Sequence, residues 1–157
     1  MNVHIIMGSQ SDKEIAQKAA SILKEFGVSY NVSVISAHRA LDTLQDVVQH
    51  SSADVFIGIA GKAAHLSGVI AGMTTKPVIG VPVKSSTLGG LEALLSTVEM
   101  PSGVPVATVA INGGENAGIL ATQILAVGNP ELQQKLKDHK QSMLEAVQAM
   151  DDAIGEL

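Results

Sequence analysis

Five histidines and ten lysines and arginines are spread over 157 residues, yet the stretch VISAHRALD sets His38 and Arg39 side by side where an apolar run ends. Histidine exchanges protons near neutral pH, and the planar fork of arginine holds two oxygens of a phosphate or carboxylate at once. Adjacent, they can anchor an anion and move a proton beside it. Arg39 stands near a helix start, where the helix dipole disfavours a surface cation, and this conflict favours a ligand role. His65 lies in a second polar segment, AGKAAHLSG, flanked by glycine and alanine. Two histidines brought to one place form a proton-handling pocket; a packed imidazole is the bland alternative for His38. No third evident nitrogen, oxygen or sulfur ligand accompanies them, so no metal is expected. His4, His50 and His139 read as structural.

A third segment, GSQSD, joins an apolar run to a helix. Gly8 permits the tight turn, and the hydroxyls and free amides of such a junction suit a phosphate. Helix capping by Ser9, Ser11 or Asp12 is the simpler reading of that motif alone. Asp12 would repel a phosphate, so its carboxylate is better matched to the hydroxyls of a sugar.

These groups need a scaffold, and the composition indicates which kind. The chain is 46% hydrophobic with 15 glycines but only 2% aromatic and 16% charged, as expected for a compact α/β protein with a small-aliphatic core. Its length suits one domain. The absence of cysteine excludes disulfides, thiolate metal sites and a thiol nucleophile, and points to a reducing compartment. A net charge of −5, with no basic stripe and few aromatics, argues against a nucleic-acid partner. The apolar run in MNVHIIMGSQSDK lacks a basic n-region and falls far short of the roughly 20 residues that span a bilayer. A cytoplasmic protein with no membrane partner is the expectation.

Short apolar runs alternate with amphipathic ones, the sequence form of repeated βα units. VHIIM, residues 28–35, DVFIGIA, VIGVPV and VPVATVAI read as five strands. Between them, Ile15, Ala19, Ile22, Leu23 and Phe26 mark a helix opened by Asp12 and stopped by Gly27. Leu41, Leu44, Val47 and Val48 mark a second, AAHLSGVIAGMT a third, Leu91, Leu94, Leu95 and Val98 a fourth, and NAGILATQILAV a fifth. Near-continuous apolar strands imply a parallel sheet covered on both faces, hence a three-layer α/β sandwich. In a parallel sheet the loops after successive strands share one edge, so GSQSD, SAHR, AGKAAHLSG, KSSTLGG and NGGEN should converge there. In a flavodoxin-like order, 2-1-3-4-5, the first three are neighbours at the switch point where such folds bind ligands. From Pro130, the stripe Leu132, Leu136, Met143, Val147, Met150 and Ile154 predicts a terminal helix over residues 130–157, folded back on its own domain or docked on a neighbouring subunit.

Together, MGSQSD, SAHR, AGKAAHLSG, PVIGVPV and LLSTVEMPSGVPVATVAI closely resemble segments of the N5-carboxyaminoimidazole ribonucleotide mutases of purine (IMP) biosynthesis, the class I branch of the phosphoribosylaminoimidazole carboxylase catalytic-subunit family. The resemblance spans nearly the whole chain. It implies an isomerase with a flavodoxin-like subunit in a homo-octamer, a small ribonucleotide substrate, no cofactor, and a terminal helix packed between subunits. Position by position, it implies that Gly8, Ser9, Ser11, Asp12 and Arg39 contact the ribose phosphate and that Ser36 and Ala37 line the pocket. It implies His38 and His65 as catalytic, with Gly61, Ala63, Ala64, His65 and Leu66 forming the loop over the imidazole and the transferred carboxylate. The chain departs from the family at Ala40 and Leu41, where Thr-Pro is usual, at Lys62, where glycine is usual, and at Ser67, where proline is usual. A related branch carboxylates aminoimidazole ribonucleotide directly with carbon dioxide and typically has lysine after SAH, so Arg39 favours the mutase. A non-catalytic nucleotide-binding module of the same fold is the rival from another class, and His38 discriminates against it, since a pure binder needs no proton shuttle.

Overall fold

The computed structural model describes residues 1–155. Five parallel strands, β1 (Asn2–Met7), β2 (Ser29–Val34), β3 (Val55–Gly61), β4 (Val78–Val83) and β5 (Ala107–Thr108), form a sheet in the order β2-β1-β3-β4-β5. Six helices accompany them: α1 (Lys13–Phe26), α2 (Leu41–His50), α3 (Leu66–Met73), α4 (Leu91–Val98), α5 (Gly114–Ala126) and α6 (Pro130–Ile154). The expected flavodoxin-like order is the observed one. None of the described helices is long and apolar enough to cross a membrane.

Alternation along the strands divides the core into two layers. Val3, Ile5 and Met7 of β1, with Val55, Ile57 and Ile59 of β3 and Ile79 and Val81 of β4, pack under α1 and α5. Ile6, Phe56 and Val78 point the other way and meet Leu44 and Val48 of α2 and Leu66 and Ile70 of α3. The small residues of α5 have a direct use. A Cβ on Gly114 would stand 2.3 Å from the Ile15 carbonyl, and one on Gly118 would stand 2.9 Å from that of Ala19. Glycine at both positions lets α5 lie against the backbone of α1. Gly27, at φ 73, ends α1 in the left-handed conformation expected of a glycine stop.

Three elements differ from the sequence pattern. The apolar run VPVATVAI predicts eight residues of strand, but β5 has two. Pro105, two residues before β5, and Pro82, two residues past Gly80 on β4, both lack an amide hydrogen, so the regular ladder is limited at each end. Irregular bonds persist beyond it, from Val109 N to Gly80 O at 3.0 Å and from Asn112 N to Pro82 O at 2.8 Å. On the opposite edge, β2 is not covered on both faces: Tyr30, Val32 and Val34, in register with Val3, Ile5 and Met7, are exposed along an open groove between β2 and α1, whose other wall includes Ala16, Gln17 and Ala20. Finally, α3 starts at Leu66 rather than Ala63. Ala64 N bonds Lys62 O and His65 N bonds Ala63 O, two tight turns that hold the preceding loop out of the helix.

The terminal helix forms as expected over Pro130–Ile154, and the last two residues of the expected span, 156 and 157, lie outside the described residues. Pro130 occupies its first turn, and the Asn129 side chain accepts from Leu132 N at 3.1 Å. Leu132 is buried and Leu136 packs beside it against α1 and α5. Farther along, Met143, Val147, Met150 and Ile154 are 48–66% exposed, so within this chain the second half of the stripe has nothing to cover it.

Candidate active site

At the carboxyl edge of the sheet, the segments after β1, β2, β3 and β4 enclose a cavity of about 620 Å³. Its wall is built in the strand order, so residues 31 positions apart in sequence become neighbours. Gly8 N bonds Ile59 O at 2.9 Å and Ile35 N bonds Met7 O at 2.9 Å, carrying the pairing of β1 with both neighbours one step into the loops.

Beyond β2, Ser36 and Ala37 begin a turn closed by Ala40 N to Ser36 O at 2.9 Å. It directs Arg39 back across the sheet edge. The guanidinium donates from Nε to Ser36 Oγ at 3.2 Å and from a terminal nitrogen to the Gly8 carbonyl at 3.4 Å. Both contacts are to neutral oxygens, so the positive charge is uncompensated and the fork is aimed at the cavity. Ser9 caps a short 3-10 turn (Gln10–Asp12), its Oγ accepting from Ser11 N at 3.3 Å. Ser11 Oγ lies 3.0 Å from Ser9 Oγ and 3.1 Å from Asp12 Oδ1.

Asp12 does not open α1 with a side-chain cap, as the sequence pattern suggests; it makes no such bond and instead lines the cavity at 6% exposure. Burial pushes its pKa above the usual carboxylate value, opposed by hydrogen bonds from the Ser11 hydroxyl and the Ser9 backbone. A largely desolvated carboxylate of this kind is a strong acceptor for ligand hydroxyls.

His38 and His65 meet. Nε2 of His38 is 2.9 Å from Nδ1 of His65, with the rings edge to face and their centroids 5.0 Å apart. Two N–H groups cannot face each other at that distance, so one of the two nitrogens offers a lone pair and the pair holds one proton between them. Both imidazoles are exposed, and proton traffic with a ligand is therefore open. His38 lines the cavity, whereas His65, at the start of α3, supports it from behind.

Of the loop after β3, Gly61, Ala63 and Leu66 line the cavity, and Ala64 is buried beneath it at 1% exposure. Lys62 also lines the wall, in a left-handed conformation with φ 55. Glycine adopts that conformation freely, and here a lysine does so. Ser67 donates its hydroxyl to Gly58 O at 3.1 Å, a contact that proline could not make.

The loop after β4 supplies residues that sequence reasoning placed at the edge without selecting: Lys84, Ser85 and Ser86 line the cavity together with Val83. The signal is the pairing of Gly61 with Val83, which only the assembled sheet provides. Ser85 donates to Glu92, holding the pKa of that carboxyl below the usual carboxylate range. The NGGEN segment stays out of the wall and acts indirectly, Asn112 Oδ1 accepting from Lys84 N at 2.9 Å. Among the described residues, no group of three histidine, aspartate or glutamate side chains is placed to hold a metal ion.

This arrangement has counterparts among known proteins. The chain is 55% identical over 153 residues to the N5-carboxyaminoimidazole ribonucleotide mutase of Methanocaldococcus jannaschii, covering 98% of this chain and 97% of that one. It is 51% identical over 144 residues to the enzyme of the same name from Thermotoga maritima, covering 90% and 84%. The crystal structure of Treponema denticola PurE superposes with a TM-score of 0.90 at 30% identity, over 99% of each chain. The AIR carboxylase family profile matches residues 2–146, which take in every strand and every cavity-lining loop, and the chain belongs to that family.

Proposed function

We propose that this protein is an N5-carboxyaminoimidazole ribonucleotide mutase, moving a carboxylate from the exocyclic amine to a ring carbon and yielding 4-carboxy-5-aminoimidazole ribonucleotide in purine biosynthesis. The observation that carries this reading is the His38–His65 contact at 2.9 Å beside a cavity whose wall presents Arg39 and Asp12. The names borne by the relatives agree with it.

In this reading Arg39 and Ser9 hold the phosphate, Asp12 accepts from the ribose hydroxyls, and Gly8, Ser11, Ser36 and Ala37 shape the pocket around them. The imidazole then lies against Gly61, Ala63 and Leu66, with buried Ala64 supporting that loop. Protonated His38 gives its proton to the amine nitrogen as the nitrogen–carbon bond breaks and carbon dioxide leaves. The electron-rich ring carbon attacks the retained carbon dioxide, a carbon–carbon bond forms, and the proton on that carbon passes to His38, restoring both the aromatic ring and the protonated catalyst. His65 orients the imidazole through Nδ1. The small apolar side chains of Ala63 and Leu66 wall the carbon dioxide without offering it a nucleophile.

The uncovered half of α6 and the exposed Tyr30, Val32 and Val34 of β2 support association with further copies, in this reading a cytoplasmic homo-octamer with α6 of each single-domain subunit packed on a neighbour. The test of function is conversion of N5-carboxyaminoimidazole ribonucleotide without ATP or added metal. Turnover of aminoimidazole ribonucleotide with bicarbonate, and not of the carbamate, would assign the direct carboxylase reaction instead. A light-scattering mass near 16.2 kDa would remove the assembly from the proposal.

A further inference from the structure

The cavity carries more positive charge than a phosphate clamp uses. Lys62 and Lys84 line it along with Arg39, against the single carboxylate of Asp12. Gly61 and Val83 are register partners at the ends of β3 and β4, and each is followed directly by a lysine. The two lysines therefore leave adjacent strands side by side, where strand spacing is about 5 Å. Like charges on neighbouring strand ends repel, and an anion between them reverses the sign of the interaction. Neither ammonium forms an ion pair among the described residues.

Both backbones are constrained where they leave their strands. Lys62 holds φ 55, a conformation that costs a side-chain-bearing residue roughly 1 kcal/mol or more. Lys84 N is bound to Asn112 Oδ1 at 2.9 Å, and Asn112 is itself left-handed at φ 59. The strand order then sets the distance to the other cation. Arg39 follows β2, but its guanidinium reaches the Gly8 carbonyl at the end of β1, and the lysines follow β3 and β4, so the two positive ends start one to two strand spacings apart, about 5–10 Å along the edge. A ligand that satisfies both ends carries an anion at each.

We propose that Lys62 and Lys84 form a second anion subsite that takes the substrate's carboxylate while Arg39 and Ser9 hold its phosphate, a proposal that rests on the mutase reading above. An ammonium pair stabilises a carboxylate and gains little from neutral carbon dioxide. It therefore tightens substrate and product more than the intervening decarboxylated state, and removing it raises KM without lowering kcat.

Calorimetric titration of two nucleotides separates the possibilities. The Lys62→Gln/Lys84→Gln double variant is expected to bind 4-carboxy-5-aminoimidazole ribonucleotide roughly tenfold more weakly than the unaltered protein, the sum of two exposed ion pairs. It should bind 5-aminoimidazole ribonucleotide, which has no carboxylate, with unchanged affinity. Lys62→Arg/Lys84→Arg keeps both charges and is expected to retain carboxylate binding. Equal weakening for both nucleotides in the glutamine variant, or none for the carboxylated one, overturns the subsite while leaving the mutase reading intact. If the unaltered protein binds neither nucleotide, the mutase reading fails and the subsite with it.

Discussion

Strand β1 carries a histidine near its start, two more stand at the carboxyl edge of the sheet after β2 and β3, and the two regions treat the same side chain in opposite ways. His4 is 7% exposed, stacked on Phe56 at a centroid distance of 6.0 Å, with Nδ1 3.1 Å from Ser51 Oγ and Nε2 2.9 Å from Ser33 Oγ. Both ring nitrogens are satisfied by hydroxyls that can give or take a proton, so either neutral tautomer fits. At the carboxyl edge His38 has one hydrogen bond, to another histidine, and is exposed to the cavity. A saturated imidazole in the core holds structure together; an imidazole with a free nitrogen at a cavity can pass a proton to something else. The difference lies in the partners and not in the residue type.

The contrast breaks most sharply at His38. His38→Asn keeps size and some hydrogen bonding but cannot shuttle a proton, and turnover is expected to fall roughly 10²- to 10⁴-fold while nucleotide binding by calorimetry persists. Near-normal turnover would move the proton to His65 or solvent and end the distinction between the two regions.

In the proposed reading, Arg39→Ala removes a phosphate contact remote from the reacting atoms. KM should rise roughly 10- to 100-fold, as for a charge-assisted hydrogen bond, with kcat little changed. Steady-state kinetics showing the reverse pattern would place Arg39 in the chemical step.

His4→Leu leaves the Ser33 and Ser51 hydroxyls without their partner and is expected to cost about 1–3 kcal/mol in denaturant unfolding. The same residue sets an acid limit on stability. Burial holds its protonation below the ordinary 6.5, so the unfolded chain takes up a proton more readily than the folded one. Its contribution is intact above pH 6.5 and is lost as pH falls from there toward the folded-state value. Thermal unfolding between pH 7 and 5 should show a smaller acid-induced drop in Tm for His4→Leu than for the unaltered protein; parallel curves would assign the acid sensitivity elsewhere.

The smallest effect is expected at Asp12, where function and stability oppose each other. Its carboxyl is harder to ionise in the folded state, so folding is favoured at low pH and the advantage is lost as pH rises from the unfolded value through the folded one. Asp12→Asn should therefore raise Tm slightly at pH 7, with the gain vanishing in acid, while weakening nucleotide binding. A lower Tm at pH 7 would show that the Ser11 and Ser9 hydrogen bonds outweigh the burial.

Much of this protein was legible without coordinates, and for local reasons. Apolar strands alternating with amphipathic helices specify a parallel sheet because only that arrangement buries both kinds of surface, and parallel connectivity obliges SAHR, GSQSD and AGKAAHLSG to share an edge. The candidate site followed as far as the chemistry of His38, Arg39 and Asp12 could carry it. Other features depend on neighbours that sequence proximity does not reveal. The shortness of β5 comes from two prolines far apart in sequence, Pro105 just before it and Pro82 of β4 just past its last register partner, which only the assembled ladder brings to its two ends. The exposure of β2 comes from an open groove left between it and α1. Lys84 and Ser85 enter the cavity because Val83 pairs with Gly61, and the 2.9 Å contact between His38 and His65 joins residues 27 positions apart. Residue types and periodicity thus determined the elements, their order of burial and the kind of chemistry available, since those follow from local propensity and the hydrophobic effect. Which side chains touch, and which proton is shared, was decided by strand register and loop closure, because a contact is a property of the assembled sheet and of no single segment.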